Sequence, residues 1–420
     1  MHGLEQANTN VSFTSMPHGG AGAHPSGRIL LVTPQPFYED RGTPIAVAET
    51  CRALGELGYE VDLLAFPVGE DRRIASVTTH RCANPLGIRS VPIGFSLGKC
   101  VLDAALLRAF ERLLRARSYG LVHAVEEAAY MASFLCPRFG KPYIYDMASS
   151  IPAELRAHWL LGAPGMHRML AAMERRVLER ASHVVCSAGL GDRIRGVAPG
   201  VAYTEWRFPG VVGAVDERTV RELRVSLGIE RGARVVLYSG NFARYQGVDL
   251  LFEAFARALR EDPSLVLVCV GASAAARDEV LARCADRVRS RVRILTRQPR
   301  HTMPAYFALA DCLISLRPNN HNLPLKVFDY MAAGKPIVAT RGPAHEPVLN
   351  GERAFMCDPH VDSIAAAMLG VFRSATHGQR VAESARRYAQ RQFGWRSFLR
   401  LVEGVYGRVL HDGREARALS

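Results

Sequence analysis

Short apolar runs alternate with amphipathic stretches along most of this chain, and the alternation occurs twice. Arg28-Ile-Leu-Leu-Val-Thr33 opens the first series as a buried strand. A loop through Gly42-Thr43 follows, then an amphipathic helix to about Leu57, then a strand over 58–66. Further strands are expected near Val91 and at 121–124, 143–145 and 183–186, with helices over 101–117 and 166–181. The second series restarts at Ala233-Arg-Val-Val-Leu-Tyr-Ser239 and continues with a helix from near Gly247 to Arg260. Its other strands are read at 265–270, 292–295, 312–315 and 336–339. Strands that alternate with helices predict an α/β protein with mainly parallel sheets covered on both faces.

A chain of 420 residues exceeds one typical core, so two or three domains are expected. Residues 1–27 are polar and read as a disordered tail, without the apolar centre of a signal peptide. The first domain is placed at 28–208 and the second at 214–390. A Gly- and Pro-rich connection, Phe208-Pro-Gly-Val-Val-Gly213, serves as the hinge. A last helix, 391–412, is expected to pack back through Trp395, Phe398 and Tyr406. No run of roughly eighteen apolar residues exists, so nothing is expected to span a membrane.

Charge narrows the partners. Fifty-three Lys and Arg against forty Asp and Glu give +13, which favours an anionic ligand or surface. Nucleic acid is set aside because no basic patch is interleaved with aromatics. The segment Lys99–Arg117 carries five cations between Leu and Phe residues and suits peripheral contact with an anionic membrane. Nine dispersed cysteines without a CxxC pair indicate reduced thiols in a cytoplasmic protein, not disulfides or zinc. No His, Asp or Glu cluster has ligand spacing, so neither metal nor cofactor is expected.

The richest stretch is Leu323–Ala339. Pro324 can only open a helix, Gly334 suits a left-handed C-cap, and Ile337-Val-Ala339 begins a strand. Free helix N–H groups, Lys326 and Asp329 suit an anionic, ribose-bearing ligand.

With Tyr38-Glu-Asp-Arg-Gly-Thr-Pro-Ile45 and the segment Tyr238–Phe255, this stretch resembles the retaining glycosyltransferases of family 4. The resemblance covers roughly residues 28–412. It implies the GT-B architecture, two facing Rossmann-like domains with a cleft between them. It also implies transfer of a sugar from a nucleotide-sugar donor, UDP- or GDP-linked, to a saccharide or lipid-linked acceptor of the cell envelope or an exopolysaccharide. Gly42 and Thr43 match the family's phosphate-facing loop. Asn241 stands where the family commonly has Arg, and Gln246 where it has Lys. Arg244 lies between them and is assigned the diphosphate, with Lys326 sharing the charge. Asp329 falls on the second Glu of the family's Glu-x7-Glu pair and is assigned the ribose hydroxyls. His321 replaces the first Glu, and the loop with Asn322 and Leu325 completes the donor side.

In the first half, His123 matches the first His of a His-x-His motif at a strand's carboxyl end, and Val125 replaces the second. Glu126 or Glu127 is expected to meet the acceptor proton, unless the leaving phosphate does, and Asp146 lies on the same rim. A dinucleotide dehydrogenase is excluded because Thr33-Pro-Gln-Pro36 stands where G-x-G-x-x-G is needed. A non-catalytic partner subunit or a nucleotide-sugar epimerase of the same fold remain the alternatives.

Overall fold

The computed structural model describes residues 27–39, 41–92, 96–154, 164–210, 213–318 and 323–418. The first sheet contains β1 Arg28–Pro36, β2 Glu60–Phe66, β3 Val77–Arg81, β4 Leu121–Val125, β5 Tyr143–Met147, β6 His183–Cys186 and β7 Tyr203–Glu205. Its order is β3-β2-β1-β4-β5-β6-β7. The second contains β8 Arg234–Ser239, β9 Leu265–Ala272, β10 Val292–Thr296, β11 Cys312–Ser315, β12 Ile337–Thr340 and β13 Phe355–Cys357. Its order is β10-β9-β8-β11-β12-β13. Every pairing is parallel.

Central strands read as continuous apolar runs because helices cover both faces. β1, β4 and β8 illustrate this, with Ile29, Leu30, Leu31, Val122, Val235, Val236 and Leu237 fully buried. In each sheet the order reverses beside the first strand, between β1 and β4 and between β8 and β11. Open α/β sheets bind ligands at such switch points, beyond the carboxyl ends of the strands.

Two readings are corrected here. The strand expected near Val91 is coil, and the third strand of the first half is β3 instead. Val91 is buried, which explains the apolar signal, but Pro92 follows it and removes a ladder donor. Gly42-Thr43 is not a loop; it forms the first turn of the helix Gly42–Glu56.

The chain passes between the halves twice. It first crosses near Phe208, and it returns into the helix Trp395–Ala418, which packs on Gly42–Glu56. Phe398 of that helix meets Phe208 at 5.2 Å and Trp206 at 5.5 Å between ring centroids. Trp395 Nε1 donates to Glu56 at 2.8 Å. Among the described residues no helix is long and apolar enough to cross a membrane.

Candidate active site

The loops beyond β1, β8, β9, β10 and β11 and the start of the helix Lys326–Ala333 enclose a cavity of about 250 Å³ between the two halves. Arg41, Gly42 and Ile45 form its wall from the first half, and the second half supplies the rest. Among the described residues, five cations line it (Arg41, Arg297, Arg300, Arg317 and Lys326), against one carboxylate, Asp329.

Lys326 is the first residue of its helix. A cation there opposes the helix dipole unless an anion joins it. Its ammonium donates to Gln246 Oε1 at 3.0 Å and lies 4.0 Å from the Tyr238 ring centroid. Burial, then the neighbouring Arg317, holds it well below the ordinary lysine value. Arg317 is itself pushed down by burial, and its Nε is buried without a hydrogen-bond partner. Burial likewise lowers Arg41. Positive groups crowded out of water in this way fit a ligand with two or more negative charges. Gly240, with φ 137°, closes the wall; a Cβ there would come within 3.1 Å of Tyr238 Oη and 3.2 Å of Lys326 Nζ. At the C-terminus of the helix Gly334 adopts φ 65°, the left-handed cap that stops it before Pro336.

The donor-side residues read from sequence divide accordingly. Gly42, Asn241, Gln246, Leu325, Lys326 and Asp329 line the cavity. Thr43 does not line it. His321 and Asn322 lie outside the described residues. Arg244 requires correction: it is exposed and absent from the cavity wall. The short 3-10 turn Arg244–Gln246 turns Gln246 inward, only 6% exposed, and leaves Arg244 outside. Arg317 takes the inner position, and sequence reading missed it, together with Arg41, Arg297 and Arg300. The available signal for Arg317 was its place just beyond a buried strand at the switch point. Asp329 faces Arg300, with Oδ1 3.6 Å from a guanidinium nitrogen.

On the first half, His123 also requires correction. It is fully buried and away from the cavity wall. Its Nε2 lies 3.2 Å from Asp146 Oδ2, and its Nδ1 lies 2.7 Å from the Tyr406 hydroxyl of the C-terminal helix. The pair His123–Asp146 therefore anchors that helix. Glu126 has φ 48°, uncommon for a residue with a side chain, and accepts from Gln35 Nε2 at 3.0 Å. Gln35 in turn accepts from Arg41 at 2.8 Å, so Glu126 is linked to the cavity wall. Glu127 is paired with Lys99. In the segment proposed for membrane contact, three of the five cations are engaged within the chain: Lys99 by Glu127, Arg115 by Glu111 and Arg117 by Asp62.

A family description, glycosyl transferases group 1, matches residues 233–374, and a glycosyl transferase 4-like domain matches 41–202. The chain is a GT-B glycosyltransferase of the family 4 type. A D-inositol 3-phosphate glycosyltransferase 2 of Catenulispora acidiphila is 26% identical, over 90% of this chain and 92% of its own. The D-inositol 3-phosphate glycosyltransferase of Streptosporangium roseum is 24% identical, over 87% and 88% respectively. The glycosyltransferase shares its fold with sucrose-phosphate synthase from Thermosynechococcus elongatus, with TM-score 0.73, 17% identity, and coverage of 94% of this chain and 100% of that one. It also resembles Anabaena Alr3699/HepE in complex with UDP-glucose, with TM-score 0.71, 17% identity, and coverage of 91% and 100%.

Proposed function

We propose that this glycosyltransferase moves a hexose from a UDP-sugar to a hydroxyl of a saccharide or lipid-linked acceptor, keeping the anomeric configuration and using no metal. The observation that carries the reading is the cavity with five cations and one carboxylate at the facing switch points. A diphosphate leaving group gains charge as the glycosidic bond breaks, and donors fixed around it stabilise that charge. Lys326, Arg317 and the helix N–H groups hold the diphosphate; Asp329 accepts the ribose hydroxyls. Fold relatives with UDP-glucose bound support uridine as the base. Five cations already oppose the charge of a diphosphate in the cavity, which supports a metal-independent reaction. The leaving phosphate serves as base for the acceptor hydroxyl, because neither Glu126 nor Glu127 lines the cavity.

The test is a thermal-shift panel of UDP, GDP and ADP, followed by transfer assays with UDP-hexoses. UDP should raise the melting temperature most, since only a ligand of the folded state stabilises it. NMR of the product should show the donor's own anomeric configuration, and activity should survive EDTA. Preference for GDP, an inverted product, or loss in EDTA restored by Mg²⁺ would each refute the corresponding part.

A further inference from the structure

A second cavity, of about 600 Å³, lies where the chain crosses between the halves. Three segments line it. Thr204, Glu205 and Arg207 come from the end of β7 and the start of the outward crossing. Arg391 and Gln392 end the helix Ala375–Gln392, and Ser397, Arg400 and Leu401 lie in the first two turns of the helix Trp395–Ala418. None of these residues lines the donor cavity. Hydrogen bonds tie the segments together. Arg207 donates to Gln392 Oε1 at 2.9 Å, from one crossing to the other. The Ser397 hydroxyl donates to the Arg391 carbonyl oxygen at 3.2 Å and accepts from Arg400 at 3.3 Å.

Charge at this cavity is one-sided. Among the described residues, the guanidinium groups of Arg207, Arg391 and Arg400 line it against one carboxylate, Glu205. Glu205 accepts from the Gly189 N–H at 3.3 Å. All three arginines are exposed, so a ligand in solution can reach them. None pairs with a carboxylate of the described residues; Arg207 and Arg400 bond only the neutral Gln392 and Ser397. Their neighbours Arg386 and Arg387, by contrast, both pair with Glu383. A guanidinium fork matches two oxygens of a phosphate. One phosphate meets one or two such forks, whereas three forks spread over both crossings call for several adjacent anionic groups. The volume suits a small ligand. Leu401 is the one apolar residue of the described lining, so the cavity offers no seat for an acyl chain.

We propose that this cavity binds a small polyanion, a molecule or headgroup that carries two or more adjacent phosphates, at a site separate from the donor cavity. Arg207 holds it from the outward crossing, and Arg391 and Arg400 from the return. The ligand then bridges the two crossings. Its place matters to the donor side, because Phe393, next to Gln392, packs on Phe328 of the donor helix. The inference does not depend on the transferase reading above.

The experiment titrates the whole protein with tripolyphosphate by calorimetry, with and without saturating UDP. Salt at about 0.15 M screens contacts with scattered surface charges. Tripolyphosphate should show a binding event that UDP does not displace, about tenfold tighter or more than that of inorganic phosphate. The double variant Arg207→Gln, Arg391→Gln should weaken this event about tenfold or more. The same loss of charge at two exposed arginines of the helix Leu97–Ala116, Arg108→Gln with Arg112→Gln, should leave it unchanged. Melting temperatures show that both double variants are folded. Sedimentation with vesicles of phosphatidylcholine and cardiolipin tells the sources apart. Retention that the crossing variant loses assigns a lipid headgroup, and no retention assigns a soluble polyanion. Absence of a UDP-insensitive event, an unchanged affinity in the crossing variant, or an equal loss in the Arg108, Arg112 variant would overturn the proposal.

Discussion

At the scale of single residues, Arg244 and Arg317 show where sequence stops being informative. Both are arginines in loops beyond strands of the second sheet, and a family pattern favoured the first. Which one faces the ligand depends on a three-residue turn that sequence does not specify. The exchange is testable. Arg317→Ala and Lys326→Met should each weaken UDP binding by about 2–5 kcal/mol, while Arg244→Ala should leave it nearly unchanged. Calorimetry decides, and a loss confined to Arg244→Ala would restore the original assignment. Lys326 carries a second expectation. Its free-state pKa is lowered by burial and Arg317, and a bound diphosphate would raise it. UDP binding should then take up a proton between those two values, so affinity should fall as pH rises through that window. Titrations in buffers of different ionisation enthalpy measure the uptake, and Lys326→Met should abolish it. That Lys326, Asp329 and Gln246 come to the cavity wall was legible from the sequence, because each sits at a fixed distance from Gly334 or Gly247, the glycines that fix the turns. His123 was misread because its sequence position matches a ligand-facing residue, while its surroundings, Asp146 and Tyr406, come from distant segments.

Among elements, the central strands were legible and the edges were not. β3 and β7 are edge strands of the first sheet and β13 of the second; none was expected. β3 reads Val-Thr-Thr-His-Arg and has no buried residue, while β7 and β13 are three residues each. An edge strand of a parallel sheet needs little apolar content, so hydrophobic periodicity does not reveal it. β10 is also an edge but keeps an apolar run and was found. Asp62 on β2 shows how a polar contact secures such an edge. Only 2% exposed, it accepts from Tyr119 at 2.7 Å and Arg117 at 2.9 Å, and it lies 3.1 Å from His80 of β3. Burial pushes its carboxyl up, but the bonds from Tyr119, His80 and Arg117 outweigh this and hold it below the ordinary value. Its folded-state value is depressed, so its contribution to stability is full above the unfolded carboxylate value, about 3.9, and is lost as pH falls through the folded one. Asp62→Asn should lower stability at neutral pH by about 1–3 kcal/mol and flatten the acid limb of a denaturation series. An unaltered acid limb would show that other carboxylates govern it.

At the scale of the molecule, both crossings between the halves rest on the helix that carries Lys326 and Asp329. At Gly210, on the outward crossing, an added Cβ would lie 2.4 Å from the Phe328 carbonyl oxygen and 2.8 Å from Ala332 Cβ. Phe393, on the return, stacks edge-on with Phe328 at 4.8 Å. Rotation of one half against the other therefore bears directly on the donor helix, and Gly210→Ala should weaken UDP binding although it touches no ligand. An unchanged affinity would separate the crossing from the site. The C-terminal helix then ties the return crossing to the first half through Tyr406 and the buried His123. Removing the Tyr406 hydroxyl leaves a buried ring nitrogen unmet, so Tyr406→Phe should cost about 1–3 kcal/mol of stability. Replacing both partners removes the unmet group as well as the bond, and the double variant Tyr406→Phe, His123→Phe should lose less than the sum of the two single variants. Denaturant titration of the four proteins supplies the cycle. Strict additivity would mean that the hydrogen bond between Tyr406 and His123 has no part in fixing the two halves together, and that the helix is held by its aromatic packing on Phe208 and Trp206 and its contacts with the helix Gly42–Glu56.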